Sequence, residues 1–353
     1  MGVISKDRRV QKMHVWIQGH QKFRGADHSK GAQSSSMSGT DDGHAKDIEF
    51  KRVLTATDFS EASRNALRYA AAIARNHAAR LYIVHVVSSL GIKVIGADAE
   101  VQAAELAARE LKELWTKLGR SNPSSKFELA LLVRQGQVST ELEAIVAEED
   151  IDLVVPGTHA RTGLSKIVLG SVAEEIFRKS SRPVLTVGPA SSWSWPQKEV
   201  GAEKFILFAT DFGEASTKAL PYAVSIANRS GSKLVMLHVA KTPDQPGPVS
   251  IVGNTADAIG EDVRQRSMQR LRAQVPGNLR IEPELRVIFG APADGILAEA
   301  SGTAAGLIVL GVRHDSLFVP AGHSPSTVAY EAVMGANCAI GAVKKISGNN
   351  SVA

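Results

Sequence analysis

From residue 50 onward the chain repeats one alternation. Short apolar runs bounded by polar or turn residues are followed by longer stretches whose apolar positions recur at helical spacing. Residues 52–58 predict a strand with a polar end, and Ser60 then caps an alanine-rich helix over 61–77. Residues 81–87 predict a second strand, and Leu106, Leu111, Leu114, Trp115 and Leu118 mark a helix after it. Strands at 128–133, 151–156 and 183–187 alternate with helices over 140–148 and from residue 172. Such an order predicts an α/β fold with a parallel sheet covered on both faces.

The same order returns in the second half. Residues 205–212 echo 53–59, and 234–239 echo the strand that carries His85 and Val86, both at an offset of 153 residues. Phe289-Gly290 and residues 307–311 repeat Gln135-Gly136 and 153–157 at an offset of 154. Offsets held over a whole half indicate duplication. The expected layout is an N-terminal extension (1–48), a first domain (49–189), a turn-rich linker (190–202), a second domain (203–346) and a short tail (347–353).

Charge changes this picture little. Eight cationic and four anionic side chains within residues 1–46 account for four of the net +5, so the body of the chain is nearly neutral. That argues against an extended basic face and against nucleic acid as a partner. The extension itself is rich in Gly, Ser and His without sustained period, and the expectation for it is disorder. No apolar run approaches the roughly 20 residues of a membrane helix, so no membrane is expected. A single cysteine, Cys338, excludes an intrachain disulfide and fits a reducing cytoplasm; a small buried thiol is the reading for it.

The candidate chemistry lies in residues 157–171, where a strand, a glycine-bearing loop and a helix start follow in line. Backbone N–H groups and the positive end of a helix hold anions in that arrangement. Small residues at Gly157, Ala160 and Gly170 let the main chain approach a phosphate. The alternative stands beside it: Ser171 with Glu174 forms a capping box, which helices use with no ligand.

At these residues the chain resembles the universal stress protein family, whose nucleotide loop has glycine, two residues, glycine, nine residues, glycine, then Ser or Thr. Here the positions read Gly157, Ala160, Gly170 and Ser171. At the one alanine, a positive φ would cost about 1 kcal/mol or more, whereas a negative φ would add only a methyl group. The resemblance covers nearly all of residues 50–346. It implies two tandem Rossmann-like domains of the adenine nucleotide alpha hydrolase-like kind, each a five-stranded parallel sheet with helices on both faces. It implies that the two domains pair within the chain as a pseudo-dimer, with homodimerisation as a further level. In family members that bind ATP, the positions matching Ala56, Thr57, Asp58 and Val86 hold adenine and ribose. Those matching Gly157, Thr158, Ala160, Arg161, Gly170, Ser171 and Val172 hold the phosphates, with a divalent ion such as Mg2+ bound through them. The other reading of Asp58 is a turn-former or early helix cap. His85 reads as a core or edge histidine making one hydrogen bond, because its equivalent His238 persists where the loop has changed.

In the second half, His314 and Ser326 stand where glycines would be, and the segment contains Pro320 and Pro325. Tyr330 replaces the capping glutamate, so this domain reads as structural or regulatory. There is no phosphate-loop lysine motif, no Gly-x-Gly-x-x-Gly after a first strand, no metal-ligand spacing of histidines and no Gly-x-Ser-x-Gly elbow. A receiver-type phospho-acceptor would need a carboxylate ending strand three, where Arg134-Gln135-Gly136 stands. The expectation is therefore a non-enzymatic, ATP-binding regulator of the stress response. The alternatives are a ligand-free interaction scaffold and a slow ATPase.

Overall fold

The computed structural model describes residues 13–16, 48–88, 97–119, 128–160, 167–168, 171–188, 191, 204–241, 254–312, 328–336 and 338–344. The first unit runs β2 (Arg52–Ala56), α1 (Glu61–His77), β3 (Arg80–Ser88), α2 (Ala97–Gly119), β4 (Leu129–Gly136), α3 (Val138–Glu148) and β5 (Leu153–Val155). A short hairpin of β6 (His159–Ala160) and β7 (Ile167–Val168) leads to α4 (Ser171–Lys179) and β8 (Val184–Thr186). The second unit repeats the order in β9 (Phe205–Ala209), α5 (Glu214–Ser230), β10 (Lys233–Ala240), α6 (Asn254–Gln274), β11 (Glu284–Phe289), α7 (Pro292–Gly302), β12 (Leu307–Val312), α8 (Val328–Gly335) and β13 (Ala339–Lys344).

Among the described residues one sheet of 11 strands joins the two units, in the order β1 (Met13–Trp16)-β4-β3-β2-β5-β8-β13-β12-β9-β10-β11. Pairings inside each unit from β4 to β8 and from β13 to β11 are parallel. At the junction β8 and β13 meet antiparallel, with Leu185 opposite Gly341, and Thr186 Oγ1 donates to the Ile340 carbonyl at 3.2 Å. The two-unit α/β organisation read from the repeat is thus an intrachain pseudo-dimer whose halves share a sheet.

The N-terminal extension is corrected in one place. Residues 1–48 were expected to lack regular structure, yet Met13–Trp16 form β1, an antiparallel edge strand on β4. Four residues are too few for the period-based reading to register.

Strand residues alternate between two apolar layers, as a two-residue side-chain period requires. Val53, Leu81, Ile83, Leu131, Val155, Phe208 and Val309 enter one layer, and Leu54, Tyr82, Val84, Leu132, Val154, Leu207 and Ile308 enter the other. Helices α1, α2, α5 and α6 cover the first, and α3, α4, α7 and α8 the second. Both layers run without a break from one unit into the other.

Candidate functional site

In each unit the strand order reverses beside the first strand: β3 and β5 flank β2, and β10 and β12 flank β9. Chains leave these strands for helices on opposite faces, so a crevice opens at the carboxyl ends. The structure brings Ala56 at the end of β2, Asp58 just beyond it, Val86 near the end of β3 and Gly157 after β5 to that edge.

Residues 57–60 form a tight turn held by local side-chain hydrogen bonds and tied to β3 by the Thr57 N–H, which donates to the Val84 carbonyl at 2.8 Å. Thr57 is buried, its hydroxyl accepts from the Phe59 N–H at 3.0 Å and it lies 3.0 Å from the Ser63 hydroxyl. Asp58 is exposed, and its Oδ1 accepts from the Ser60 N–H at 3.0 Å. Ser60 caps α1 by accepting from the Ser63 N–H at 3.2 Å. The turn-forming role weighed for Asp58 is therefore present, and it coexists with an exposed carboxylate at the crevice. His85 donates from Nδ1 to the Thr57 carbonyl oxygen at 2.8 Å, which fixes the proton on that nitrogen. This is the single structural hydrogen bond expected of it.

Phe59 was not singled out in the sequence. It holds φ at 64°, a left-handed conformation rare for a bulky residue, and stacks on His85 with ring centroids 4.7 Å apart. Its equivalent Phe212 has φ 60° and sits 4.4 Å from His238. The signal available was the constant offset, which also pairs Ser63 with Ser216 and Ala62 with Ala215.

Gly157 is glycine because of α1. A Cβ there would lie 2.6 Å from the Ala62 carbonyl oxygen and 3.0 Å from the Ser63 nitrogen. In the second unit a Cβ on Gly311 would lie 2.2 Å from the Ala215 carbonyl carbon and the Ser216 nitrogen. The first glycine of the loop pattern is thus required by strand-to-helix packing in both units. Thr158 is buried, and both its N–H and its hydroxyl donate to the Val187 carbonyl, at 2.9 and 3.3 Å. Ala160 lies in β6 paired with Ile167 of β7. Extended backbone of this kind accepts any L-residue, so alanine carries no conformational penalty there. Arg161 and Gly170 lie outside the described residues. Ser171 opens α4, and Val172 in its first turn is half-buried against the second apolar layer.

The second unit holds an open cleft of about 440 Å³ at the same edge. Elsewhere, Cys338 is half-buried and not fully buried as expected, and desolvation pushes its thiol up to about 12, so it stays protonated at neutral pH. Among the described residues no group of three His, Cys, Asp or Glu side chains is placed to hold a metal ion, and no helix is long and apolar enough to cross a membrane.

Comparison with known proteins gives a consistent picture. The Universal stress protein family matches residues 49–188 and 204–321. A universal stress protein of Methanocaldococcus jannaschii is 28% identical over 155 residues, covering 40% of this chain and 96% of its own. One from Mycolicibacterium smegmatis is 25% identical over 262 residues, 73% of this chain and 86% of its own. The crystal structure of a universal stress protein from Archaeoglobus fulgidus, 18% identical, superposes with a TM-score of 0.58 over 84% of this chain and 99% of its own, a likeness of fold. With one matched segment in each half of the sheet, the chain belongs to the universal stress protein family as a tandem pair of its domains.

Proposed function

We propose that the first unit binds ATP and that the protein acts as a nucleotide-responsive regulator in the cytoplasmic stress response. The observation that carries this reading is the meeting of Ala56, Asp58, Val86 and Gly157 at one sheet edge, beside the strand-order reversal. The small side chain at Ala56 leaves room for a flat ring, and the Asp58 carboxylate accepts hydrogen bonds from ribose hydroxyls. Main-chain N–H groups from Ala160 to Val172, with the Ser171 hydroxyl, would take the phosphates, and Arg161 adds charge. A divalent ion such as Mg2+ would supply charge neutralisation on those phosphates, held through them and not by a protein cage. Each unit is in this reading the family's five-stranded parallel sheet with helices on both faces. In this reading any ATP hydrolysis is slow and incidental.

A second reading, a ligand-free interaction scaffold, draws on one observation: Gly157 and Gly311 are both required by packing, so this glycine would persist without a nucleotide. The test is the nucleotide released by denaturing freshly purified protein, counted per chain. About one ATP per chain, lost in Gly170→Trp with the far-UV spectrum unchanged, supports the first reading. No nucleotide and no uptake from millimolar ATP and Mg2+ would establish the scaffold. Sustained hydrolysis abolished by Asp58→Ala would instead make the protein a slow ATPase.

A further inference from the structure

The two units differ at the end of the sheet away from the crevice. In the first unit a cleft of about 310 Å³ lies between α3 and α4, beside β5 and the residues that lead into β8. That volume stands at the lower end of the range for small-molecule sites, about 300–1,000 Å³. Leu142, Val146, Val154 and Ile176 line the cleft with apolar side chains. Of its charged side chains two are cationic, Lys179 and Arg182, and one, Glu143, is anionic.

The second unit closes the same place. The offset of 154 that pairs Gly136 with Gly290 also pairs Glu143 with Leu297. The offset of 156 that pairs Glu174 with Tyr330 also pairs Lys179 with Gly335 and Arg182 with Cys338. Leu297 of α7 presses so closely on α8 that a Cβ on Gly335 would lie 2.5 Å from its Cδ1. In the first unit Glu143 and Lys179 stand in place of that leucine and glycine, and the helices leave the cleft between them. Cations near a helix end also offset its negative pole. However, α8 has no basic residue in its last turn, so the fold does not require them there.

Arg182 is held in place on both its main chain and its side chain. Its N–H donates to the Ser180 hydroxyl at 3.1 Å, that hydroxyl donates to the Arg182 carbonyl at 3.2 Å, and the guanidinium reaches Asp150 at 2.7 Å. Lys179 pairs with Glu175 one turn back along α4 at 2.5 Å. Both ion pairs are open to solvent and hold weakly, and each cation has more N–H donors than its one partner uses.

We infer that this cleft binds a small amphiphilic carboxylate, an aryl or short-chain alkyl acid. The apolar body lies on Leu142, Val146, Val154 and Ile176, and the carboxylate accepts from Arg182 and Lys179 at the rim. A wholly polar anion would gain nothing from the apolar floor, and an uncharged apolar molecule nothing from the cations. The site does not depend on nucleotide binding at the crevice.

Calorimetric titration of phenylacetate into the full chain tests it, with phenylacetamide as the uncharged counterpart. Saturable uptake of about one acid per chain is expected by millimolar concentration, with the amide weaker by about tenfold. Arg182→Gln should weaken the acid by about tenfold and leave the amide within about twofold. Asp150 keeps Arg52 as a partner in that variant, so the fold is little disturbed. Glu143→Leu combined with Lys179→Gly writes the second unit's pair into the first and should abolish uptake by closing the cleft. If the double variant fails to fold, as its far-UV spectrum would show, Arg182→Gln decides alone. No saturable uptake of the acid, equal uptake of acid and amide, or acid uptake unchanged in the folded variants would overturn the inference. So would displacement of the acid by ATP, or its loss in Gly170→Trp, since either would place it at the crevice.

Discussion

Gly157 shows how one residue can satisfy two readings. Its place in a glycine-rich pattern points to a ligand, whereas its surroundings point to α1, whose Ala62 carbonyl would sit 2.6 Å from any Cβ. A contact that short with backbone forces the strand end and the helix apart. Gly157→Ala is therefore expected to lower unfolding free energy by about 1–3 kcal/mol, and Gly311→Ala, where the approach is closer, by at least as much. Denaturant titration of both variants checks this; full stability in either would show that the helix yields and that glycine is kept for another reason. Ala160 is the opposite case. In extended backbone the methyl is tolerated, so Ala160→Gly should give no gain in stability and lose about 0.5–1 kcal/mol through chain entropy.

At the scale of elements, the turn from β2 into α1 carries both fold and site. Ser60 caps the helix and Asp58 holds the Ser60 N–H, so the carboxylate assigned to a ligand is also fixed by the turn. Ser60→Ala should cost about 1 kcal/mol and loosen Asp58. A fall in nucleotide affinity beyond that expected from stability alone, measured by calorimetry well below the melting temperature, would report the loosening. An affinity unchanged from wild type would mean that Thr57 and Phe59 suffice to hold the turn. The serine and the aspartate were legible in the sequence as cap and turn-former. The left-handed Phe59 was not, because its strain is offset by the Thr57 hydroxyl within the turn and by the His85 ring, which comes from another strand.

The whole molecule is held at a junction that involves more than the β8 to β13 pairing. Phe50, just before β2, packs on Tyr222 of α5 with centroids 6.0 Å apart and edge-on against His77 at 4.8 Å. Ser225 donates to the Ile48 carbonyl, and Arg229 of α5 reaches Glu49 at 3.4 Å and the Asn76 carbonyl at 3.4 Å. Burial first, and the nearby Arg229 guanidinium second, pull the His77 imidazole down from 6.5 to about 3. The unfolded chain thus takes up this proton near 6.5 and the folded chain only near 3. Stability from keeping His77 neutral is complete above pH 6.5 and is lost as pH falls toward 3, at up to about 1.4 kcal/mol per pH unit. Melting curves between pH 7 and 4 should show this slope, and His77→Leu should flatten it. An equal slope in the variant would assign acid sensitivity to the carboxylates.

What the sequence determined by itself was everything that depends on local period and repetition. The alternation of strand and helix, the Ser60 cap, the duplication and the family all follow from spacing along the chain, since side-chain periods and offsets survive without knowledge of contacts. Tertiary structure alone decided which residues meet across distance. Only packing shows that Gly157 faces a helix backbone, that β8 and β13 fuse two sheets into one, that Met13–Trp16 find an edge on β4, and that the second unit keeps an open cleft. Those outcomes depend on close approach between segments far apart in sequence, and no local pattern encodes such distances.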